Sequence, residues 1–286
     1  MRQTKKIAFQ GEPGANSDLA CRKAYRAYEP LPCPTFEDVF AALRSRRAEL
    51  AMIPIENSVA GRVADIHHLM PNSGTHIIAE FFLPVRHQLM APKAATLKTV
   101  KTAQSHIQAL GQCRNTLRKL HLKSVAAADT AGSAREIAEE GDITRAAIAS
   151  ELAAKIYKLK ILKRNIEDEK HNTTRFIVLS RKARWVSRAH KDVITTFVFQ
   201  VRNIPAALYK ALGGFATNGI NMTKLESYMV GGQFTATQFL CDVEGHPEQP
   251  ALRRALEELA FFSREIRVLG VYPAAAFRLA QKAAAD

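Results

Sequence analysis

Short apolar runs alternate with amphipathic stretches along the first 180 residues. Lys6 to Gln10 reads as a strand, Gly11 to Asn16 as a glycine-bearing loop, and Ser17 as the N-cap of a helix through Tyr28. Thr35 caps a second helix with Phe36, Val39, Phe40 and Leu43 on one face, and residues 50–55 form a buried strand that stops at Glu56-Asn57-Ser58. Phe81-Phe82-Leu83-Pro84-Val85 is a strand that crosses to a second lobe. In that lobe Ser105 caps a helix, and Gln112 lies two turns on along the same face. Thr130 caps a further helix, and the strand of residues 146–149 ends in a third cap at Ser150. This alternation predicts α/β sheets, whose ligands sit in loops at the strand ends.

The charged segment Arg181 to Lys191 reads as a linker, after which the period changes. Val193 to Val201 is a strand, Pro205 starts a helix to Ala216, and Asn218-Gly219 closes it. Ile220 to Met229 is a second strand, Gly231-Gly232 a tight turn, and Phe234 to Val243 a third strand. A helix from Pro250 to Phe262 and a strand from Ile266 to Val271 complete a β-α-β-β-α-β pattern, which is ferredoxin-like.

Composition narrows the classes. A net charge of +14 invites a nucleic-acid reading, but the Lys and Arg residues are spread along the chain and no nucleic-acid motif accompanies them. A positive surface also steers small dianions toward a cleft. The four cysteines (Cys21, Cys33, Cys113, Cys241) lie far apart and read as reduced, structural thiols. The polar start and the lack of any run long enough to span a membrane predict a cytoplasmic protein with no membrane partner.

Chemistry concentrates in Asn172-Thr173-Thr174-Arg175-Phe176, where a polar loop becomes the strand Ile177-Val178-Leu179. A hydroxyl can donate, a guanidinium can grip a carboxylate in bidentate fashion, and an aromatic can lie against a ring. In a regular strand Thr174 and Arg175 point to opposite faces. The pair therefore lies in the loop before the strand, or Arg175 supports the site from behind.

The ordered set Pro54-Ile55-Glu56-Asn57-Ser58, Ser105-His106-Ile107-Gln108 with Gln112-Cys113, Asp129-Thr130-Ala131 and Asn172 with Thr174-Arg175-Phe176 precedes a ferredoxin-like unit bearing Gly219-Ile220-Asn221 and Leu225-Glu226-Ser227. Together these motifs resemble prephenate dehydratase over nearly the whole chain. The resemblance implies a catalytic part at 1–181 with the two-lobed type II periplasmic-binding-protein fold. Lobe 1 is about 1–82 plus 165–181, and lobe 2 is about 83–164. It further implies a linker at 182–192, an ACT regulatory domain at 193–273 that binds phenylalanine, a tail at 274–286, and a homodimer or homotetramer. With no chorismate mutase segment read ahead of Ile7, the resemblance leads one to expect the monofunctional form.

The implied reaction takes prephenate to phenylpyruvate, carbon dioxide and water, and aromatisation drives it without cofactor, metal or covalent nucleophile. The resemblance makes Thr174 the donor to the leaving hydroxyl, with Glu56 and His106 as rival proton sources. It makes Asn57, Ser58, Ser105 and Gln112 hydrogen-bonding partners of substrate, Arg175 a carboxylate clamp, and Phe176 a packing or stacking ring. Ala206, Ala207, Leu208, Asn221, Glu226 and Ser227 fall on the effector site.

Four places depart from the family pattern. Gly-Thr-aromatic-Ser is Gly14-Ala15-Asn16-Ser17, and Ile107 replaces a proline. Gly-Ala-Leu is Ala206-Ala207-Leu208, and Glu-Ser-Arg-Pro is Glu226-Ser227-Tyr228-Met229. The last two bear on regulation, and the methyl of Ala206 would crowd a ligand lying close to backbone. Arogenate dehydratase and a non-catalytic sensor are the competing readings.

Overall fold

The computed structural model describes residues 4–63, 66–202, 204–229 and 236–285. These divide into two compact units, 4–63 with 81–176 and 66–80 with 177–285.

The first sheet starts from β1 (Lys6–Gln10), which pairs in parallel with β2 (Glu29–Cys33) and β3 (Leu50–Asn57). Parallel neighbours need crossover connections, supplied by α1 (Asn16–Ala24) and α2 (Phe36–Arg44). A two-residue strand, β4 (Gly61–Arg62), folds back on the end of β3. After α3 (Ile66–Leu69) comes β5 (His76–Pro84). The chain then crosses into the second lobe through β6 (Gln88–Ala91), β7 (Thr102–His106), α4 (Ile107–Gln112), α5 (Arg114–Lys119), β8 (Lys123–Ala127), α6 (Thr130–Glu140), β9 (Arg145–Ala149), α7 (Glu151–Ile156) and β10 (Lys160–Lys163). It returns as β11 (Thr173–Ser180).

The strand orders are β2-β1-β3-β11-β5 and β8-β7-β9-β6-β10. Each lobe has a parallel triplet, and next to it lies the strand that arrives from the other lobe. This is the expected two-lobed α/β arrangement. Strands covered on both faces read as unbroken apolar runs, and Leu50 to Ile53 and Ala146 to Ala149 are all fully buried.

Several caps differ from expectation. Ser17 lies inside α1, whose N-cap is Ala15, and the helix stops at Ala24. The reason is Asp18, fully buried, whose carboxylate accepts the Gly14 N–H at 2.8 Å and secures the turn from within the helix. Asp129, not Thr130, caps α6, because its carboxylate reaches the Gly132 N–H at 2.6 Å. Thr35 caps α2 and Ser150 caps α7 as expected.

The second unit contains β12 (Val193–Val201), α8 (Ala207–Thr217), β13 (Met222–Met229), β14 (Ala236–Glu244), α9 (Pro250–Phe262), β15 (Ser263–Pro273) and α10 (Ala276–Ala285). Its strand order is β13-β14-β12-β15, antiparallel throughout, so each βαβ unit is split by a strand from the other, as in a ferredoxin-like fold. Phe197, Phe199, Phe215, Phe239, Leu252 and Leu259 fill the space between sheet and helices. The helix begins at Ala207 rather than Pro205 and β13 at Met222 rather than Ile220, while the expected turn at Gly231-Gly232 lies outside the described residues. The segment after 273 is largely helical, and Arg278 secures it with two bonds to the buried Glu80 carboxylate, 2.9 and 2.8 Å.

Two backbone positions yield predictions. Gly14 has φ +92°, and a Cβ there would lie 2.7 Å from the Ala153 Cα. Its carbonyl accepts the Ser150 hydroxyl at 2.5 Å, so this glycine docks the first lobe on α7. Gly14→Ala is expected to lower unfolding free energy by about 2 kcal/mol, read as a lower denaturant midpoint. Ala206 stands at φ +61°, a left-handed conformation that L residues adopt at a cost. Ala206→Gly is expected to stabilise by about 1 kcal/mol, read as a higher thermal midpoint.

Candidate functional site

At the end of β3, Asn57 turns its side chain back on the following loop. Its Oδ1 accepts the backbone N–H groups of Val59 (3.0 Å) and Ala60 (2.8 Å). Asn and Asp favour such turns because a short side chain can imitate a backbone acceptor. The Nδ2 group then faces β11, where it lies 2.7 Å from Asn172 Oδ1, 3.0 Å from Thr174 Oγ1 and 3.3 Å from the Thr173 carbonyl. Ser58 ties the same two segments together. Its hydroxyl donates to the His171 carbonyl at 2.8 Å and accepts the Thr173 N–H at 2.9 Å.

The network continues into the second lobe. Asn172, 1% exposed, donates from Nδ2 to Gln112 Oε1 at 2.9 Å. The same oxygen lies 2.8 Å from His87 Nε2. Burial pushes the His87 imidazole pKa below its ordinary value, outweighing the opposing pull of the Gln112 bond and of the Glu167 carboxylate. Glu167 accepts the His87 backbone N–H at 2.9 Å and pairs with Arg86 at 2.9 Å. Asp168 donates its N–H to the Gln112 carbonyl at 2.7 Å. Beside this network is a cleft of about 430 Å³ lined by Val59, Ala60, Gln108, Gly111, Gln112, Asn115, Asp168 and Glu169.

Thr174 and Arg175 both belong to β11, so they occupy opposite faces. Of the two expected arrangements, this is the one with Arg175 behind. Arg175 is 2% exposed and its Nη1 meets Glu56 Oε1 at 2.8 Å. Glu56 is held as the partner of a buried guanidinium, and a paired carboxylate is an acceptor.

Other expected site residues stand differently. Ser105 is no helix cap. It lies in β7, fully buried, with its hydroxyl donating to the Ile148 carbonyl at 2.7 Å, a cross-strand bond that keeps it in the sheet. The cap of α4 is His106, whose Nδ1 accepts the Gln108 N–H at 3.3 Å, so Ser105 and Gln112 do not share a helix face. Phe176 is 1% exposed and belongs to the packed interior of β11. In the ferredoxin-like unit Ala206 is the N-cap of α8, and Ala207 and Leu208 form its first turn. Glu226 and Ser227 lie on the edge strand β13, with Glu226 paired to Lys224 at 2.9 Å, and Asn221 immediately precedes that strand. All four cysteines are buried and unbridged, and burial raises the thiol pKa of each, which makes them poor nucleophiles.

Two members of the network were given no chemical task by the sequence. Asn172 stood in the motif with Thr174-Arg175-Phe176 without one. His87 belongs to no motif, and its partner Gln112 lies 25 residues away.

A family model described as prephenate dehydratase matches residues 7–184. The chain is 52% identical over 272 residues to a protein of Komagataeibacter europaeus named bifunctional N-acyl-homoserine lactone acylase/prephenate dehydratase, covering 95% of this chain and 97% of that one. It is 38% identical to arogenate dehydratase/prephenate dehydratase 2 of Arabidopsis thaliana, covering 94% of this chain and 72% of the relative. Among solved structures it resembles prephenate dehydratase from Arthrobacter aurescens in complex with L-Phe, with a TM-score of 0.86, 28% identity and 98% of each chain covered. No described helix is long and apolar enough to cross a membrane. With this match over more than half its length, set on the two-lobed fold and the Asn57–Thr174 network, the chain belongs to the prephenate dehydratase family.

Proposed function

We propose that this chain converts prephenate to phenylpyruvate, carbon dioxide and water, with Thr174 as the proton donor to the departing hydroxyl. The observation that carries the reading is the bond from Asn57 Nδ2 to Thr174 Oγ1 at 3.0 Å. Because Asn57 donates there, the Thr174 oxygen is the acceptor and its own proton is directed elsewhere. That bond also stabilises the oxygen as it gives up its proton. A threonine hydroxyl is a very weak acid, so transfer occurs as the carbon–oxygen bond breaks and the leaving oxygen becomes basic. The electron pair of the bond to the ring carboxylate moves into the ring as carbon dioxide leaves, and water restores the threonine proton.

Glu56 fits the role of orienting Arg175 and β11 better than that of an acid, since Arg175 holds its carboxylate. Gln112 Nε2 has no protein partner among the described residues and is suited to a substrate carboxylate, with Asn57 and Ser58 shaping the loop beside it. The net charge of +14 favours capture of a dianion. We assign 1–181 to the catalytic part and 193–273 to an ACT domain. Phenylalanine would be its effector, at the first turn of α8 and at Asn221, Glu226 and Ser227. The relative solved with L-Phe supports that assignment.

Two relatives motivate parallel assays. The Arabidopsis protein is named for arogenate as well as prephenate, and the Komagataeibacter protein for an N-acyl-homoserine lactone acylase activity. Purified chain is expected to form phenylpyruvate from prephenate with a chelator present, followed by absorbance in alkali. Phenylalanine formed from arogenate alone would select the other dehydratase, and release of homoserine lactone from its N-acyl form would add the second activity. Thr174→Ala is expected to lower kcat on prephenate by about a hundredfold with little change in KM. Near-normal turnover in that variant would remove Thr174 from the role.

A further inference from the structure

The polarity of the whole network follows from two backbone donors. The N–H groups of Val59 and Ala60 can only donate, so the Asn57 atom they meet is the carbonyl oxygen and the atom facing β11 is the amide nitrogen. Asn57 therefore donates to Asn172, which makes that atom of Asn172 the oxygen and turns its nitrogen toward Gln112. Gln112 then presents its oxygen, which can only accept, so the His87 Nε2 facing it carries a hydrogen. The neutral ring is the Nε2–H tautomer, with a bare Nδ1.

We propose that His87 is a positioning residue: its Nε2–H pins the Gln112 carbonyl oxygen and so aims the Gln112 amide nitrogen, with its two hydrogens, at substrate. Without that donor, the Asn172 Nδ2–H alone opposes rotation of Gln112 about its terminal torsion, because an amide's two ends have nearly the same shape. The rotated amide would set its nitrogen against Asn172 Nδ2, two donors facing each other, and would offer an acceptor to the cleft where a carboxylate needs a donor. The ring is well placed to prevent this. It is 3% exposed, its backbone N–H is fixed by Glu167, and it sits where the chain crosses from β5 to β6. The crossing strands meet here too, through the Val85 N–H and the Asn172 carbonyl at 2.8 Å. The catalytic consequence rests on the dehydratase reading, whereas the tautomer and the Gln112 orientation do not.

The test pairs His87→Met, of similar size without a donor, with His87→Gln, which carries an amide N–H at about the same reach. Long-range proton–nitrogen correlation of the wild-type His87 ring is expected to show a protonated Nε2 and an unprotonated Nδ1. The crystal structure of His87→Met is expected to show the Gln112 amide turned away from Asn172, and that of His87→Gln to show it retained. On prephenate, kcat/KM is expected to fall about ten- to hundredfold in His87→Met and to recover largely in His87→Gln, with both proteins folded. An Nδ1–H tautomer, or a Gln112 unmoved in His87→Met, overturns the proposal. So does equal loss in the two variants, which would mark a purely structural role. If wild-type protein turns over no prephenate, the dehydratase reading fails instead, and the ring tautomer and the Gln112 orientation alone decide the positioning role.

Discussion

Two backbone N–H groups at the tip of one turn govern the site. They belong to Val59 and Ala60, and they hold the oxygen of Asn57. Most side-chain amides choose between two orientations of nearly equal shape, but here the choice is made by donors that cannot reverse. Every amide further along inherits a direction from them, through Asn172 to Gln112. The hydroxyl of Thr174 inherits one as well. The turn after β3 thus determines the chemical polarity of groups more than 50 residues away in the chain.

The pleat of β11 divides the remaining labour. Thr174 meets Asn57, while its neighbour Arg175, on the other face, meets Glu56. Because β3 and β11 are adjacent and both alternate, two consecutive residues of one strand serve two consecutive residues of the other. The Glu56–Arg175 pair is buried on the arginine side and partly exposed on the carboxylate side, so replacing Glu56 would weaken the hold on a buried guanidinium. It fixes the strand from behind while the amide network works in front.

Much of this was legible in the sequence. Continuous apolar runs such as Leu50 to Ile53 marked strands buried on both faces, and the change of period after residue 192 marked the ferredoxin-like unit. Glu56-Asn57-Ser58 and Thr174-Arg175 stood at strand ends, where α/β sheets carry ligands. What failed were inferences that needed a partner distant in the chain. Ser105 resembles a cap until Ile148, 43 residues on, claims its hydroxyl for the sheet. Ser17 resembles one until Asp18 performs the task from inside the helix. His87 carried no signal, since its importance arises only when Gln112 and Asn172 arrive beside it, 25 and 85 residues later. Local spacing reports periodicity and caps, and it is silent about which of two amide ends faces inward.

The matching strand orders of the two sheets bear on how the chain is made. In the first lobe, β3 is flanked by β11, which follows only after the whole second lobe has been traversed. An emerging chain therefore exposes one side of β3, Asn57 included, until residue 173 has been synthesised. Closing a loop of more than 100 residues is slow compared with forming the local triplet β2-β1-β3. The second lobe is different, because β6 precedes its triplet and waits for it. Birth order thus places assembly of the Asn57–Thr174 network after that of its scaffolding, and a chain truncated before β11 would present an unpaired apolar strand edge to its neighbours.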